Sequence, residues 1–267
     1  MEGISGVVSW KQVEKSEPEY ARFCKIMTAE VNAAVQGAFD GGASEVAVVD
    51  GHDTARNILI EELDPRATLH YGAESPLAMV QGIQQGVDAV VLIGYHARSG
   101  TPAAVLSHTW MSTAVTDVWL NERPIGEIGI NAAVCGYFNA PIIFLSGDQA
   151  ACNEASDWVP GIETVAVKKA AGRYSAECYP PTVTHPLITQ GVKRSVEKFS
   201  AGKAPAPLKV NLPIHMSARF ATPIMAEQAL VLPQLSAMPD GRMVSFDAPD
   251  ILTAYHVFRA ATNLIHP

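Results

Sequence analysis

The sequence lacks most of the features that would assign a class at sight. It has only 4 cysteines (Cys24, Cys135, Cys152 and Cys178), no two of them at CxxC spacing. Neither a thiolate zinc knuckle nor a dithiol redox motif is therefore indicated. Four reduced thiols in a cytoplasmic protein is the expectation. Basic charge is scarce: 19 Lys and Arg stand against 27 Asp and Glu, a net charge of -8, with no basic run. Such a chain is poorly suited to nucleic acid or to an anionic membrane. Long apolar runs are missing too; 89–93 and 141–145 are among the longest, far short of the ~20 residues that span a bilayer. The first twenty residues carry scattered Glu and Lys and no basic start leading into an apolar stretch, so no secretory signal is visible. Also absent are GxxxxGK[ST], a GxGxxG after a strand, GxSxG and HExxH. The P-loop, the dinucleotide fingerprint, the nucleophile elbow and the compact helical zinc motif go with them.

What is present suits a well-packed globular protein. Apolar residues make up 48% of 267 residues and charged residues 17%, enough for a sizeable core in one large domain or two small ones. Tyr20, Phe23, Met27, Val31, Ala34 and Ala38 recur at steps of three and four, predicting an amphipathic helix over 17–40 with Gly41-Gly42 at its end. Strands are predicted at 45–50, 88–95, 115–120 paired with 125, 141–146 and 163–167. Helices are predicted at 75–85, 126–138, 149–158 and 186–199. Residues 200–207 (SAGKAPAP) make the best boundary. Beyond them strands are expected near 208–214, 228–232 and 243–246, and a final helix near 249–264 capped by Asp247. Strands alternating with helices imply an α/β fold, layered α/β/α with a mostly parallel sheet and a smaller C-terminal α+β portion. The expected division is 1–200 as the catalytic domain and 201–267 packed upon it.

In open α/β sheets, ligands bind beyond the carboxyl ends of strands. His52 follows a strand in VVDGHD, His96 follows the next in GYHARSGTP, and His108 lies in the segment after that. Glu127 opens a helix in NERPIGEIG, and Glu2 stands in the Gly-rich MEGISG. Imidazoles and carboxylates gathered on one sheet edge suit zinc or a similar divalent ion. Each has a bland alternative. A histidine after a strand is more often a hydrogen-bonded loop residue, Glu127 reads as a first-turn acid favoured by the helix dipole, and Glu2 reads as a solvated end residue. His70, His185, His215, His256 and His266 read as surface or structural. Ser107 beside His108 does not make a triad. Cys152 lacks a basic neighbour that would activate it as a nucleophile. Asp50 reads either as a partner orienting a ligand histidine or as a strand-end cap.

Taken in order and at their separations, MEGISG, VVDGHD, GYHARSGTP, LSH and NERPIGEIGINA resemble the D-aminopeptidase family of zinc metallopeptidases. The likeness runs from Met1 to the last helix, where 250–255 is also similar. It implies Glu2, His52, His96 and Glu127 as metal ligands and His108 as the catalytic residue. It further implies two zinc ions per subunit, a decamer of two stacked rings and a small peptide substrate. The implied reaction is hydrolysis of peptides with an N-terminal D-residue by a metal-activated water. A metal-dependent amidohydrolase on a non-peptide amide, or a non-catalytic binding or assembly protein, are the alternatives. The family pattern also carries an Asp two positions before the Glu of MEG, at the end of a first strand. With the Glu at residue 2, that Asp and strand fall before Met1, and the expectation is that the intact protein has both.

Overall fold

The computed structural model describes residues 1–73 and 75–265. Helix α1 (Tyr20–Asp40) buries the predicted stripe, including Phe23, Met27, Val31, Ala34 and Ala38. It lies against α4 (Pro181–Ser200). The two helices approach closely at Gly37, where an added Cβ would stand 2.4 Å from the Thr189 carbonyl oxygen. Strand β1 (Val46–Val49) pairs in parallel with β2 (Ala67–His70). Strands β3 (Val90–Tyr95), β6 (Ile142–Asp148) and β7 (Glu163–Gly172) form a parallel sheet, closed by antiparallel β8 (Ser175–Cys178). All seven residues of β6 are buried, as befits a strand covered on both faces. Phe144 packs with Val165, Val167 and the α1–α4 pair. Leu145 packs the other way, in the cluster that contains Ala151 and Cys152 of α3 (Gln149–Trp158). The layered α/β expectation is met.

A second, antiparallel sheet runs in the order β10 (Ser236–Ala237), β11 (Met243–Ala248), β9 (Ile214–Phe220), β4 (Val115–Leu120), β5 (Arg123–Pro124). It thus joins mid-chain strands to late ones, with α2 (Glu127–Tyr137), α5 (Pro223–Ala229) and α6 (Ile251–Leu264) in the same hydrophobic cluster. Several predicted elements differ in detail. The helix expected over 75–85 is two short 3-10 turns, Ala78–Val80 and Ile83–Gln85, interrupted at Gly82 with its φ of 93°. The strand expected at 208–214 begins only at Ile214, because Pro207 and Pro213 offer no N–H to a ladder. The strand expected at 228–232 is instead the end of α5 and the turn after it. The cap of α6 is Asp250, which accepts from the Thr253 N–H at 2.7 Å. Asp247 belongs to β11 and faces His215 across the sheet. The short strands β2 and β8 had no clear signature. Among the described residues, no helix is long and apolar enough to cross a membrane.

Two features of the fold bear on the site. Strands β1 and β3 do not pair with one another. They flank a cavity of about 1280 Å³ that is lined by both strands and opens onto the residues singled out above. The loop 1–7 lies on the end of β3, with the Gly3 N–H donating to the Gly94 carbonyl at 3.0 Å. An added Cβ at Gly3 would stand 1.9 Å from the Tyr95 carbonyl oxygen, so only glycine lets the loop come this close. Gly3→Ala is accordingly expected to lower unfolding stability in urea by at least about 2 kcal/mol. Gly172→Ala, where an added Cβ meets nothing within 4 Å, is expected to change it by less than about 0.5 kcal/mol.

A candidate metal centre at the sheet edge

The five residues picked out from the sequence come together. His52 sits in the loop after β1, His96 directly after β3, His108 in the loop that follows, and Glu127 at the first position of α2. Glu2 joins them from the loop laid across β3. Glu2, His96, His108 and Glu127 are buried, and the His52 side chain is 11% exposed. Glu2 therefore does not fit its bland reading as a solvated end residue, and Glu127, though it stands in the first turn of α2 as its bland reading has it, is buried there. His52 Nδ1 stands 3.2 Å from Glu2 Oε1, and His96 Nε2 stands 3.5 Å from Glu127 Oε2. His108 Nε2 lies between the two carboxylates, 3.9 Å from Glu2 Oε1 and 3.8 Å from Glu127 Oε1. The rings of His96 and His108 stack at 3.8 Å.

Each imidazole is fixed through its other nitrogen. His52 Nε2 donates to the Val13 carbonyl at 3.0 Å, His96 Nδ1 to Ala97 at 3.1 Å and His108 Nδ1 to Leu106 at 2.8 Å. A carbonyl can only accept, so the N–H is held on the outer side of each ring. The unprotonated nitrogen of the neutral ring faces the cluster, as metal-ligating histidines are oriented. The loops are held as well. The Asp50 carboxylate accepts from the backbone N–H groups of His52, Asn57 and Ile58 and from Asn57 Nδ2. It orients the His52 loop through the main chain rather than by touching the imidazole. Glu127 Oε1 accepts from the Trp110 N–H at 2.7 Å. Trp10 places its ring edge-on to His108 at 5.3 Å.

The charges are strongly coupled. Burial alone would raise the carboxyl of Glu127, but His96 and His108 outweigh it and hold the pKa at about 2. Glu2 is also held well below the usual carboxylate range: burial is outweighed by His52 and the Met1 ammonium. Burial would depress His96, yet Glu127 and Glu2 raise it to about 9. His108 moves the other way, lowered by burial and by the charge of His96.

The donor set fits a divalent cation. Two ligand atoms each about 2.1 Å from one tetrahedral zinc stand about 3.4 Å apart. The His–carboxylate separations here run from 3.2 to 3.9 Å. The longer ones exceed hydrogen-bond reach, so they leave buried polar atoms facing one another without a direct bond. The tightest group is His96, His108 and Glu127, whose donor atoms lie within 4.8 Å of one another.

The remaining histidines stand outside this cluster. His215 pairs with Asp247 at 2.8 Å, His256 is exposed on α6, and His70 on β2 and His185 on α4 are partly buried. His266 lies outside the described residues. No cysteine is paired, and Cys24, Cys135 and Cys152 are buried. Burial pushes the Cys152 thiol up to about 12, which suits an inert core residue. The Ser107 hydroxyl accepts from Arg173, not from a histidine. Val13, Leu106 and Trp110 take part through backbone atoms, for which no side-chain motif exists to read.

Comparison with known proteins agrees with this geometry. A family model described as D-aminopeptidase matches residues 1–260. The D-aminopeptidase of Bacillus subtilis (strain 168) is 34% identical over 264 residues, covering 99% of this chain and 94% of that protein. The solved structure of the Zn-dependent D-aminopeptidase DppA from Bacillus subtilis, described as a self-compartmentalizing protease, superposes with a TM-score of 0.91. It shares 33% identity and covers 99% of this chain and 94% of that one.

Metal uptake at such a site competes with protons. His96, with its pKa raised to about 9, is protonated in the metal-free protein at about pH 7 and must lose that proton to ligate. Zinc titrated into the metal-free protein at about pH 7 is expected to release about one proton from this group, and less as the pH passes about 9. Calorimetry in buffers of different ionisation enthalpy reads the number.

Proposed function

The chain belongs to the D-aminopeptidase family, and on that premise we propose that the buried cluster is the zinc centre of an aminopeptidase acting on peptides with an N-terminal D-residue. The observation that carries the reading is the orientation of the three imidazoles, each with one nitrogen given to a main-chain carbonyl and the other facing the two buried carboxylates. Glu2, His52, His96 and Glu127 would hold the metal. When bound, zinc supplies Lewis acidity for the scissile carbonyl and activates water as the nucleophile near neutral pH.

His108 is the proton carrier in this reading. Burial and the neighbouring His96 keep its imidazole neutral, so Nε2 can accept a proton and pass it to the leaving amine. The bond from Nδ1 to Leu106 fixes the tautomer that makes this possible. Trp10 stands edge-on to the ring at 5.3 Å. His108→Ala is expected to lower kcat by about 10²–10⁴-fold on a D-alanyl peptide while zinc content stays unchanged. The compactness of His96, His108 and Glu127 favours a second reading, in which His108 is itself a ligand. Loss of zinc from His108→Ala would establish that reading in place of the first. Simple amides assayed in parallel are expected to turn over far more slowly than D-alanyl peptides.

Two ions per subunit form part of the proposal. Its support is that the donors fall into a Glu2–His52 pair and a His96–Glu127 pair, with His108 between them. A cytoplasmic location and assembly into a decamer complete the proposal. Exposed Tyr174, Tyr179, Val183 and Leu187, close together in the chain, support self-association.

A further inference from the structure

We propose that the β7–β8 hairpin is the positioning element of this site, with Lys168 fixing the loop that carries Glu2 and Arg173 fixing the loop that carries His108. The inference rests on the zinc aminopeptidase reading and adds two residues to it, neither of which belongs to the donor cluster.

Lys168 is 0% exposed. An ammonium has three protons, and three carbonyls receive them: Glu2 at 2.5 Å, Ile4 at 2.9 Å and Val7 at 2.6 Å. All three belong to the loop 1–7, which has no strand ladder of its own to satisfy them. The side chain is thereby saturated and has no donor left for substrate. Desolvating an ammonium is costly, and an apolar residue in its place would leave the three carbonyls orphaned instead. The loop is gripped on a second side by Glu30 of α1, whose Oε1 accepts from the Ser5 N–H at 2.7 Å. What the arrangement secures is the main-chain position of Glu2, from which its carboxylate reaches His52 and His108.

Arg173 lies in the turn between β7 and β8 and acts on the other loop. Its Nη1 donates to the Ser107 carbonyl at 2.6 Å and to Ser107 Oγ at 3.0 Å, and its own carbonyl accepts from the Leu106 N–H at 3.0 Å. Leu106 is the residue whose carbonyl holds His108 Nδ1. Asp148, the register partner of Lys168 on β6, steadies the same segment by accepting from the Val105 N–H at 2.7 Å.

The test uses the full chain. Wild-type protein is first titrated with zinc and assayed on a D-alanyl peptide; failure at this stage would remove the aminopeptidase reading itself. With that established, Lys168→Met is expected to keep its far-UV circular dichroism, to lose zinc affinity by about 10–100-fold in chelator competition, and to change the visible spectrum of the cobalt-substituted protein. Arg173→Ala is expected to keep wild-type zinc affinity and KM while kcat falls by about 10–100-fold, with Arg173→Lys recovering part of the loss. Lys168→Met that lowers only the unfolding midpoint, leaving zinc affinity and the cobalt spectrum unchanged, would overturn the role of Lys168. An unchanged kcat in Arg173→Ala would overturn that of Arg173. Should Lys168→Met not fold, Lys168→Gln takes its place with the same readouts, and failure of both to fold would make Lys168 a core residue and end its half of the proposal.

Discussion

An imidazole offers a lone pair to a cation only from the nitrogen that carries no proton, so whatever takes the other N–H decides what the ring can do. Here a main-chain carbonyl takes it three times over, at Val13, Ala97 and Leu106. Main-chain acceptors cannot swing away as a side-chain acceptor can. The direction of each lone pair is therefore set by the fold, and the centre is as well ordered as the loops that carry those carbonyls. This is why so much buried charge is spent on loops. Asp50 ties down 52–58, Asp148 holds Val105, and Lys168 gathers three carbonyls of 2–7. A charged partner makes bonds about twice as strong as a neutral one, enough to hold a segment that no strand or helix supports.

The same pairing governs the electrostatics. Burial by itself would neutralise both members of the His96–Glu127 pair; together they stay charged, at about 9 and about 2. The cluster is thus an ion pair with both carboxyls held on the ionised side. A divalent ion entering it needs no carboxyl to be deprotonated, only an imidazole. His108 is pushed in the opposite direction from its stacked neighbour, towards the neutral imidazole. Burial and the charge of the stacked His96 lower His108, while Glu127 and Glu2 raise His96, so two histidines in ring contact are pushed in opposite directions.

The sequence revealed the clustered side chains better than the frame that aims them. His52 and His96 were legible because parallel strands carry the residues after them onto one edge, and the strands before them, β1 and β3, are apolar and well bounded; Glu127 follows β5 of the antiparallel sheet and was legible as the acid that opens α2. Glu2 was legible as a carboxylate in the Gly-rich MEGISG, and the likeness of that segment to a family pattern strengthened it. Composition and periodicity say nothing of a loop that must cross the end of β3 within glycine distance of Tyr95. The layered architecture followed from alternation, and α3 was bounded correctly at 149–158. The second sheet could not be seen in advance, because β4 and β5 join β9 and β11 across some hundred residues of chain, and pairing of that kind leaves no local trace. Lys168 was equally hidden. On a strand with alternating burial a lysine reads as a solvated position, and only the three carbonyls arriving from the start of the chain make it an interior one.

The cavity between β1 and β3 gives Glu2 a particular place in this scheme. His52 is delivered from one side of it and His96 from the other, and the two strands share no ladder. Glu2 belongs to the β3 side by its backbone, through Gly3 and Gly94, and reaches the β1 side with its carboxylate, 3.2 Å from His52. It is also within 3.9 Å of His108. A single side chain therefore connects the two halves of the donor set. The register between those halves depends on how firmly the main chain of residue 2 is held, and that grip comes from β7, two strands away from β3 in the parallel sheet. The donor set at one edge of the fold is in this way linked to a buried cation whose protons go to the carbonyls of Glu2, Ile4 and Val7.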